Sequence, residues 1–562
     1  MSHAPSRAAL LTADYVIVGG GSAGCVVAAR LSEDPHCKVV LVEAGDRDRS
    51  PYIHLPVAYY KTTGPAFTWG YRTAPQADQG RLEAPYPQGR VLGGGSSINA
   101  QVYIRGRPED FDGWRDAFGC PGWGYADVLP YFVKAEGNQR LSSPVHGFDG
   151  PLLVSDPAFT HPLTYAWLKA CQQAGLPYNT DFNSGTQAGC GLYQVTNRAG
   201  RRSSTAHCYL HPVEGRSNLR VLVNAMAVRI VVENGRATGV EILRGGRRHF
   251  IQAGRELVLT AGVIGTAKLL MLSGIGDADE LKAKGIEVVS DQPEVGRNLH
   301  DHLDVFLVYK LARKRGYDRY KKPGWQLWAG LQFALFRTGP VTSSLVEGGA
   351  FWWVDRKTAT PDVQFHFLAG AGVEADIPYL PAGEGCTLHA YLVGPKARGR
   401  VTLRSAEPSD APVIDPNFLG APQDLAQTVA AVRLGRRIMA QPAMRAELTG
   451  EHLPGPRAQS EDALAEFVRA QGRTAYHPCG TCRMGTDDRA VVDTELRLRA
   501  VGSVRIADAS IMPKLISGNT NATAIMIGER CADFIKESLR HGLSSSGERA
   551  AEESVNHSAR RG

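Results

Sequence analysis

The chain opens with short apolar runs, each of which is followed by glycine or by a charged residue. The segment Asp14–Val18 is rich in β-branched residues, a second apolar run occupies residues 38–42, and the apolar, alanine-rich stretch Cys25–Leu31 lies between them. Uninterrupted apolar runs of this length are typical of strands buried on both faces of a parallel sheet. The order of the segments predicts a strand–helix–strand unit, and therefore an α/β domain.

Two later segments predict other kinds of structure. In Pro361–Phe367 the alternation typical of a strand places Gln364 and His366 on one face, and we expect a structural role for His366. The tail at 541–562 is rich in serine, charge and small residues, with little apolar content. Such a composition cannot bury enough apolar surface to fold, so this tail is expected to be disordered.

A cluster of cations precedes an aromatic segment in the second half of the chain. The segment is 325–336, for which we predict an amphipathic helix. Three interpretations remain open, namely contact with an anionic membrane surface, a lid over the substrate, or a domain helix packed on the core. The cations are Arg313, Lys314, Arg315, Arg319, Lys321 and Lys322.

Composition narrows the class of protein. The 562 residues, 43% hydrophobic and 21% charged, are enough for more than one core-forming unit. A net charge of +7 does not indicate nucleic-acid binding and is compatible with an anionic cofactor. Ten cysteines without a framework-like spacing predict reduced thiols. Because Met1–Thr12 has no apolar core of signal-peptide length and no segment approaches ~20 apolar residues, we expect a cytoplasmic protein, at most peripheral to the inner membrane.

The turn after the first predicted strand has the spacing G-x-G-x-x-G. Gly19 permits the tight turn, Gly21 lets the backbone approach a pyrophosphate, and Gly24 lets the helix pack closely on the strand. The helix N-terminus offers free N–H groups to phosphates. Glu43, after the second strand, is suited to accept hydrogen bonds from ribose hydroxyls. This unit predicts a dinucleotide site and does not by itself distinguish FAD from NAD.

Six separated motifs carry a family resemblance that runs from about residue 13 to about 537. They are the glycine unit above, Gly89–Asn99, Gly274–Gly276, Val295–His302, Tyr476–Gly485 and Gly518–Thr523. In this order they resemble the glucose–methanol–choline (GMC) oxidoreductase family, in its choline-dehydrogenase-like and alkanol-dehydrogenase-like branch.

The resemblance implies an α/β plus α+β fold, in which a Rossmann-type FAD-binding domain is joined to an antiparallel-sheet substrate-binding domain. The FAD-binding domain would be discontinuous, with residues 12–155, 198–305 and 475–537, and the substrate-binding domain would take 156–197 and 306–474. The residues implied in FAD binding are Gly19, Gly21, Ser22, Ala23, Gly24, Glu43, Ala44, Arg90, Gly94, Ser97, Asn99, Ala100, Val102, Val228, Ala261, Asp508, Ala509, Asn519 and Thr520.

Within that set, the resemblance gives several residues a particular part of the cofactor. The backbone of Val228 would meet the adenine, and Asp508 would face the pyrophosphate–ribitol region. Asn99 and Thr520 would approach the isoalloxazine. Some choline oxidases of the family tether the flavin through a histidine in the context Ser-Ser-His-Asn, where this chain has Ile98. The isoleucine side chain has no nucleophilic atom, so FAD is expected to be bound non-covalently.

Oxidation of an alcohol by hydride transfer requires a base near the hydroxyl group, and histidine meets this requirement with little tuning. His477 matches the family's catalytic histidine, although a single histidine is also compatible with a buried structural role. Asn519 matches the partner position, where an amide donates a hydrogen bond to the substrate oxygen and cannot compete as a base. A turn role after Gly518, or an exchange of roles with Asn521, remains open.

Two other groups of polar residues have alternative interpretations. Cys479 and Cys482 form a Cys-x-x-Cys pair, which allows a redox or zinc role, but no second pair completes four ligands and we expect packing residues. His300 and His302 flank Asp301, and a structural role is expected rather than metal ligation. No metal site is predicted.

The predicted activity is oxidation of a primary alcohol to an aldehyde, with FAD as hydride acceptor, His477 as base and Asn519 as oxygen ligand. Glu347 lies in a segment that lines the substrate region in relatives, where a carboxylate is suited to a cationic substrate such as choline. The expected partners are a small alcohol and a quinone or other electron acceptor. The alternatives are a non-redox enzyme of the same fold, of the hydroxynitrile lyase or fatty-acid photodecarboxylase type, and a non-catalytic flavin-binding protein.

Overall fold

The computed structural model describes residues 9–76, 80, 83–371 and 380–559, with side chains described as far as residue 540. The prediction made for Met1–Thr12 falls, in residues 1–8, outside these ranges. Within them, no helix combines the length and the apolar character needed to cross a bilayer.

Helices alternate with strands along most of the chain. In chain order the helices are α1 Ser22–Leu31, α2 Pro51–His54, α3 Gly95–Ile98, α4 Pro108–Ala117, α5 Tyr125–Ala135, α6 Pro162–Gln173, α7 Gly262–Leu272, α8 Ala278–Ala283, α9 Pro323–Phe336, α10 Pro422–Met439, α11 Pro442–Arg445, α12 Glu461–Gln471 and α13 Asn521–Ala559. The strands are β1 Leu11–Val18, β2 Val39–Val42, β3 Glu136–Asn138, β4 Leu152–Val154, β5 Gly189–Leu192, β6 Asn197–Arg198, β7 Arg201–Arg202, β8 Leu219–Leu222, β9 Met226–Glu233, β10 Arg236–Arg244, β11 Arg247–Leu259, β12 Ile275–Gly276, β13 Ser290–Asp291, β14 Leu303–Leu311, β15 Val346–Trp352, β16 Val363–Leu368, β17 Gly385–Leu392, β18 Arg400–Thr402, β19 Val413–Asp415, β20 Leu448–Leu453, β21 Arg473–Thr474 and β22 Val504–Ile506.

The first large sheet has the strand order β8-β2-β1-β11-β10-β9, with β22 beside β11. Strands β8, β2, β1, β11 and β22 are parallel, whereas β10 and β9 form an antiparallel extension. The strand–helix–strand unit predicted from the apolar runs is confirmed in β1, α1 and β2. The apolar residues Val16, Ile17 and Leu41 are fully buried, as strands covered on both faces require.

The second large sheet has the order β20-β14-β17-β16-β15-β5, with β21 beside β14, and its pairs are antiparallel. The strand predicted within Pro361–Phe367 is β16. A mixed, Rossmann-like sheet and a separate antiparallel sheet together confirm the predicted fold class. Both sheets are assembled from distant parts of the chain, since the first takes strands from residues 11–42, 219–259 and 504–506.

The tail predicted to be disordered instead continues α13 as far as Ala559. Residues 560–562 lie outside the described part. Helix extension adds about one hydrogen bond for each residue that it orders, which favours continuation of a helix that is already formed. The stretch 548–553, with the sequence Glu-Arg-Ala-Ala-Glu-Glu, has good helix formers, whereas 541–547 contains two glycines and three serines.

The helix predicted for the aromatic segment 325–336 is confirmed as α9, but its predicted amphipathic character was wrong. Only Ala329 and Phe333 are buried, while large apolar side chains project into solvent over the rest of its surface. The interpretation as a domain helix packed on the core is therefore wrong as well. Its apolar positions do not repeat at the helical period, so burying one stripe leaves most of them exposed.

Candidate active site

One cavity extends from the carboxyl ends of β1, β2 and β11 to the face of the antiparallel sheet. Val18, Val42 and Thr260, at those strand ends, line one part, and His366 and Tyr391 of the second sheet line another. Open α/β sheets bind ligands at this edge because the strands and the following helix N-termini converge there. The residues predicted for cofactor binding or catalysis that line the cavity are Gly19, Gly21, Ser22, Ala23, Glu43, Ala44, Gly94, Asn99, Ala100, Val102, Ala261, His477, Asp508, Ala509, Asn519 and Thr520.

Two glycine-rich turns touch at the wall of this cavity. Gly19 has φ +110°, a conformation that L side chains rarely adopt. A Cβ on Gly94 would lie 2.7 Å from the Cα of Gly21, so the turns approach more closely than side chains allow. Gly21 is the N-cap of α1 and provides no side-chain cap. The first N–H groups of α1 are therefore available to an anion, and the cradle fits the pyrophosphate of a dinucleotide.

Glu43 lies beside this cradle with both carboxylate oxygens oriented by the backbone. Its Oε2 accepts a hydrogen bond from Gly20 N at 2.8 Å, and Oε1 accepts one from Gly45 N at 2.7 Å. Burial raises the pKa of Glu43 to about 7. Each carboxylate oxygen can accept one more hydrogen bond, as the binding of ribose hydroxyls requires.

Asp508 is anchored at the start of α7. Its Oδ2 accepts hydrogen bonds from Gly262 N at 2.9 Å and from the hydroxyl of Thr266 at 2.7 Å, while Oδ1 accepts one from Ser510 N at 2.8 Å. Burial raises the pKa of this carboxyl group. The carboxylate joins the N-terminus of α7 to the late loop that also carries Ala509 into the cavity wall.

Four residues predicted to bind the cofactor lie outside the lining. Gly24 packs on the turn, where a Cβ would lie 1.9 Å from Gly19 O, which is the close helix–strand approach expected from its place in the motif. Ser97 is fully buried and its Oγ donates to Leu92 O at 2.7 Å, so its side chain stabilises the glycine-rich turn from within. The guanidinium group of Arg90 lies 5.0 Å from the ring centroid of Trp69, which lines the cavity.

The fourth is Val228, predicted to meet the adenine. Its side chain is buried, and the lining in that strand is taken by Ala225, Met226 and Ala227 instead. The prediction for Val228 concerns its backbone, which the lining by neighbouring side chains does not test, so the adenine contact of Val228 stays a prediction.

Ile98 lines the cavity at the end of the short helix α3. Its side chain is 8% exposed and packs with Ile53 and Val91. An aliphatic side chain cannot form a covalent bond to a flavin, which agrees with the expected non-covalent binding.

His477 and Asn519 meet at the other end of the cavity. His477 Nε2 lies 2.9 Å from Asn519 Nδ2, although the two residues are separated by 42 positions in sequence. The other ring nitrogen, Nδ1, lies 3.0 Å from Nδ1 of His302. Burial lowers the pKa of His477 to about 3, and burial together with the neighbouring His477 holds the pKa of His302 well below its usual range. Both imidazoles are therefore neutral at physiological pH.

The structure distinguishes Asn519 from its neighbour Asn521. The amide of Asn521 donates from Nδ2 to the hydroxyl of Ser22 at 2.8 Å, at the N-terminus of α1. Asn519 contacts His477, and its Oδ1 lies 3.3 Å from Nε2 of Gln364. The two asparagines consequently belong to different ends of the site, one to the phosphate cradle and one to the histidine.

Asp301, interpreted from sequence only as part of a His-Asp-His motif, holds the histidine loop in place. Its Oδ1 accepts the backbone N–H of His477 at 2.9 Å, and Oδ2 accepts hydrogen bonds from the hydroxyls of Tyr86 at 2.7 Å and Thr474 at 2.5 Å. Burial raises its pKa to about 6. The predicted structural role for His300 agrees with its contacts to Asn298 Oδ1, at 2.8 Å, and to the backbone.

The antiparallel sheet supplies a polar wall that sequence reasoning missed. His366 Nε2 lies 2.8 Å from Gln364 Nε2 and 3.1 Å from the hydroxyl oxygen of Tyr391. Asp304 Oδ2 and His389 Nδ1 are 2.7 Å apart, and both residues line the cavity. The alternation in β16 indicated that Gln364 and His366 share a face, but nothing in the sequence showed that this face meets His477. His366, expected to be structural, lies at the cavity.

The segment of Glu347 lines the cavity through Val346, but the side chain of Glu347 itself does not. Its side chain is fully buried away from the cavity lining and accepts hydrogen bonds from His161 N and the hydroxyl of Thr164, each at 2.8 Å. The hydroxyl groups of Tyr317 and Ser343 also donate to it. Burial raises its pKa. A carboxylate surrounded by four donors crosslinks β15 with its neighbours.

Cys479 and Cys482 are buried and not disulfide-bonded. Burial raises the pKa of both thiols well above the usual value. A thiol held protonated in this way is a poor nucleophile and a poor metal ligand. Within the described residues, no group of three or more His, Cys, Asp or Glu side chains is arranged to hold a metal ion.

The neutral state of His477 predicts an acid dependence of stability. Below pH ~6.5 the unfolded chain protonates this histidine, whereas the folded protein does so only near pH 3, so stability falls with pH through this window. We expect the unfolding free energy of the wild type to fall more steeply than that of His477→Asn, by up to about 1.4 kcal/mol per pH unit. Thermal unfolding of both proteins at pH 7, 6 and 5 measures the difference.

Asp301 and Glu43 have the opposite effect on the unfolding free energy. Their raised pKa values favour the folded state at low pH. Both proteins contain these groups, so their effect cancels in the comparison. Parallel curves for the wild type and His477→Asn would contradict a neutral, buried His477.

Comparisons with known proteins identify the same family that the six sequence motifs resemble. Two family models, both described as GMC oxidoreductase, match residues 13–304 and 395–528. The chain is 41% identical to an alcohol dehydrogenase (acceptor) of Pseudomonas putida, over 93% of this chain and 95% of that protein. It is 42% identical to an oxygen-dependent choline dehydrogenase of Rhizobium etli, over 93% and 96% of the two chains. The crystal structure of pyridoxine 4-oxidase from Mesorbium loti superposes with a TM-score of 0.85 at 33% identity, covering 93% and 98%.

Proposed function

The chain belongs to the GMC oxidoreductase family, and from that premise we propose that it oxidises a primary alcohol to an aldehyde with His477 as the general base. Membership makes it an FAD-dependent flavoenzyme, and the relatives named alcohol dehydrogenase and choline dehydrogenase support alcohols as its substrates. The observation that carries the finer proposal is the pair formed by His477 and Asn519, a neutral imidazole and an amide that face one cavity at 2.9 Å from each other.

We assign the binding of FAD to the residues of the glycine cradle and its neighbours. The N-terminus of α1 is suited to the pyrophosphate, Glu43 to a ribose, and the strand end at Ala227 to the adenine. When bound, FAD supplies the acceptor for the hydride that leaves the alcohol carbon. Ile98 provides no covalent attachment, so the cofactor is proposed to dissociate when the protein unfolds.

His477 removes the hydroxyl proton in this proposal. The O–H bond breaks toward Nε2, the carbon–oxygen double bond forms, and the hydride leaves the same carbon. A base of this kind contributes typically 10²–10⁴-fold to the rate. The low pKa keeps the imidazole in its neutral form at neutral pH, so one ring nitrogen carries a free lone pair.

His302 orients the imidazole through the contact between the two Nδ1 atoms. A backbone carbonyl can only accept, so the contact of His302 Nε2 with Val393 O, at 3.4 Å, favours a proton on His302 Nε2. His302 Nδ1 is then an acceptor and His477 Nδ1 the donor. This leaves the lone pair of His477 on Nε2, toward Asn519 and the cavity, which is the tautomer that a base requires.

Asn519 positions the substrate oxygen. Its Nδ2 lies 2.9 Å from Nε2 of His477, and a hydroxyl group that approaches both nitrogens from the cavity meets a donor and an acceptor. An amide cannot take up the proton itself. The imidazole therefore acts as the base, and the amide acts only as a hydrogen-bond donor.

Asn519→Ala is expected to lower the rate of flavin reduction by roughly 10- to 100-fold with the flavin retained, because one hydrogen bond to the developing oxygen charge is lost. Asn521→Ala is the matched control. Since its amide contacts Ser22 in the phosphate cradle, that variant is expected to lose FAD affinity and to keep most of the reduction rate of the bound fraction. Stopped-flow reduction and flavin content separate the two, and the reverse pattern would exchange their roles.

The decisive test is anaerobic bleaching of the yellow protein by a panel of primary alcohols, including choline, aliphatic and aromatic members. Reduction by at least one class, with the matching aldehyde as product, supports the proposal. A protein that no alcohol bleaches, but that forms product from a cyanohydrin or from an illuminated fatty acid, belongs to a non-redox class and contradicts it.

We propose a quinone, or a related carrier, as the electron acceptor. The relatives support an acceptor in general, since one is an acceptor-dependent alcohol dehydrogenase and another is described as oxygen-dependent. Comparing reoxidation of the reduced protein by dissolved oxygen and by a soluble quinone tests this proposal. Equal or faster reoxidation by oxygen would contradict it.

A further inference from the structure

Helix α9 is the most apolar exposed surface among the described residues. It is attached to the protein through Ala329 and Phe333, and the ring of Phe333 packs close to Gly200. The large apolar side chains that it presents to solvent, with their exposed fractions, are Trp325 44%, Leu327 76%, Trp328 51%, Leu331 55%, Leu335 65% and Phe336 69%. A contiguous patch of this kind on a folded protein marks a contact surface.

The segment around the helix is strongly cationic. Between residues 312 and 342 the sequence contains seven Lys and Arg residues and a single acid, Asp318. Asp318 is buried, and its Oδ2 accepts the backbone N–H of Gly383. Lys321 and Lys322 precede the helix and Arg337 follows it, and all three are exposed. Positive charge therefore lies at both ends of the apolar surface.

We propose that α9 docks on the surface of a lipid bilayer that contains anionic lipids. Its 14 residues span about 21 Å, too short for the ~30 Å hydrocarbon layer, so the helix lies in the interface and does not cross it. Leucine and phenylalanine enter the acyl region, the tryptophans sit at headgroup level, and the flanking cations meet lipid phosphates.

Charge decides against a second copy of this chain as the occupant. A symmetric pair of α9 helices would bring the cationic segments of two molecules together without acidic partners in the segment. Arg315 and Lys314 already pair with Glu447 and Glu384 of their own chain. An anionic bilayer supplies both the apolar layer and the opposite charge that this surface lacks.

Docking would also bring one side of the cavity close to the membrane. The 3-10 helix Pro340–Thr342 packs against both α9 and the 3-10 helix Pro56–Lys61. Tyr59 of the latter lines the cavity, and Lys321 lies 5.6 Å from the ring centroid of Tyr60. The proposal concerns docking alone and holds whether or not the proposed alcohol chemistry is correct.

Vesicle flotation of the full-length holoenzyme tests the proposal. The wild type is expected to float with vesicles that contain phosphatidylglycerol, to bind pure phosphatidylcholine vesicles at least ~10-fold less, and to lose binding at high salt. The triple variant Leu327→Ser, Leu331→Ser, Leu335→Ser is expected to lose at least ~10-fold in binding because its apolar surface is removed. Lys321→Gln combined with Lys322→Gln should weaken binding only to the anionic vesicles.

Phe148→Ser combined with Tyr165→Ser is the matched control, because these aromatic residues are also exposed but lie outside α9. This control should float like the wild type, and flavin content should be unchanged in all variants. Equal flotation of the wild type and the triple variant would overturn the proposal. So would a wild-type dimer in lipid-free solution that the leucine substitutions dissociate, since it would assign the surface to a second copy.

Discussion

His477→Ala is expected to retain FAD and to lose flavin reduction by alcohol by at least about 10²-fold, and up to about 10⁴-fold. The side chain faces the cavity near Asn519, and its backbone N–H, which the substitution leaves in place, is held by Asp301. Removing the imidazole therefore removes the proton acceptor without removing the anchor of the loop. Anaerobic stopped-flow reduction with the best alcohol of the panel measures the loss.

The size of this effect follows from the two described residues that contact the imidazole, neither of which can replace it as the base. Asn519 cannot accept the hydroxyl proton, and His302 lies behind the imidazole, with its Nδ1 toward His477. His36→Ala, at an exposed surface position, is the control and should reduce at the wild-type rate. If His477→Ala reduces as fast as that control, the proton goes elsewhere and the assignment of the base is wrong.

Gly21→Val is expected to give a folded but colourless protein, with flavin content falling from about one per chain to below about one-tenth. A Cβ at Gly21 would find only two atoms within 4 Å, Thr260 O at 3.8 Å and Gly94 Cα at 4.0 Å, so the protein itself has room for it. That room is the wall of the cavity, where the pyrophosphate needs direct access to the N-terminus of α1. Flavin absorbance per chain measures the outcome.

Two other glycines make this prediction specific. Gly24→Val should fail to fold, because a Cβ there lies 1.9 Å from Gly19 O. Gly113→Val should fold and bind flavin normally, since a Cβ at that position of α4 meets no atom within 4 Å. Normal flavin content in Gly21→Val would show that the cofactor does not rest on this turn.

Local sequence was sufficient for the strand–helix–strand unit because its signals act over short distances. The apolar runs specify buried strands, and glycines at 19 and 24 meet steric requirements within one turn. The family resemblance extended the prediction to the whole fold and to His477 and Asn519. Both residues lie in short motifs that follow one another in a fixed order along the chain.

The sequence indicated less well which side chains line the cavity and which are buried away from it. The adenine contact was predicted for the backbone of Val228, and only the structure shows that Ala225, Met226 and Ala227 line the cavity beside it. Glu347 has a charge suited to a cationic substrate, yet three of its four donors, His161, Thr164 and Tyr317, lie 30 to 186 positions away in the chain. No local pattern indicates which buried carboxylate will be saturated by donors.

The sequence by itself determined the dinucleotide unit, the family, the expected flavin and the two residues assigned to the chemistry. Only the tertiary structure brought Asp301 and His302 behind the histidine loop, placed the Gln364 and His366 face opposite His477, and left α9 exposed. These relations join residues that lie tens to hundreds of positions apart. They depend on how the two sheets pack, and packing is decided by the sum of many weak long-range contacts that no short segment encodes.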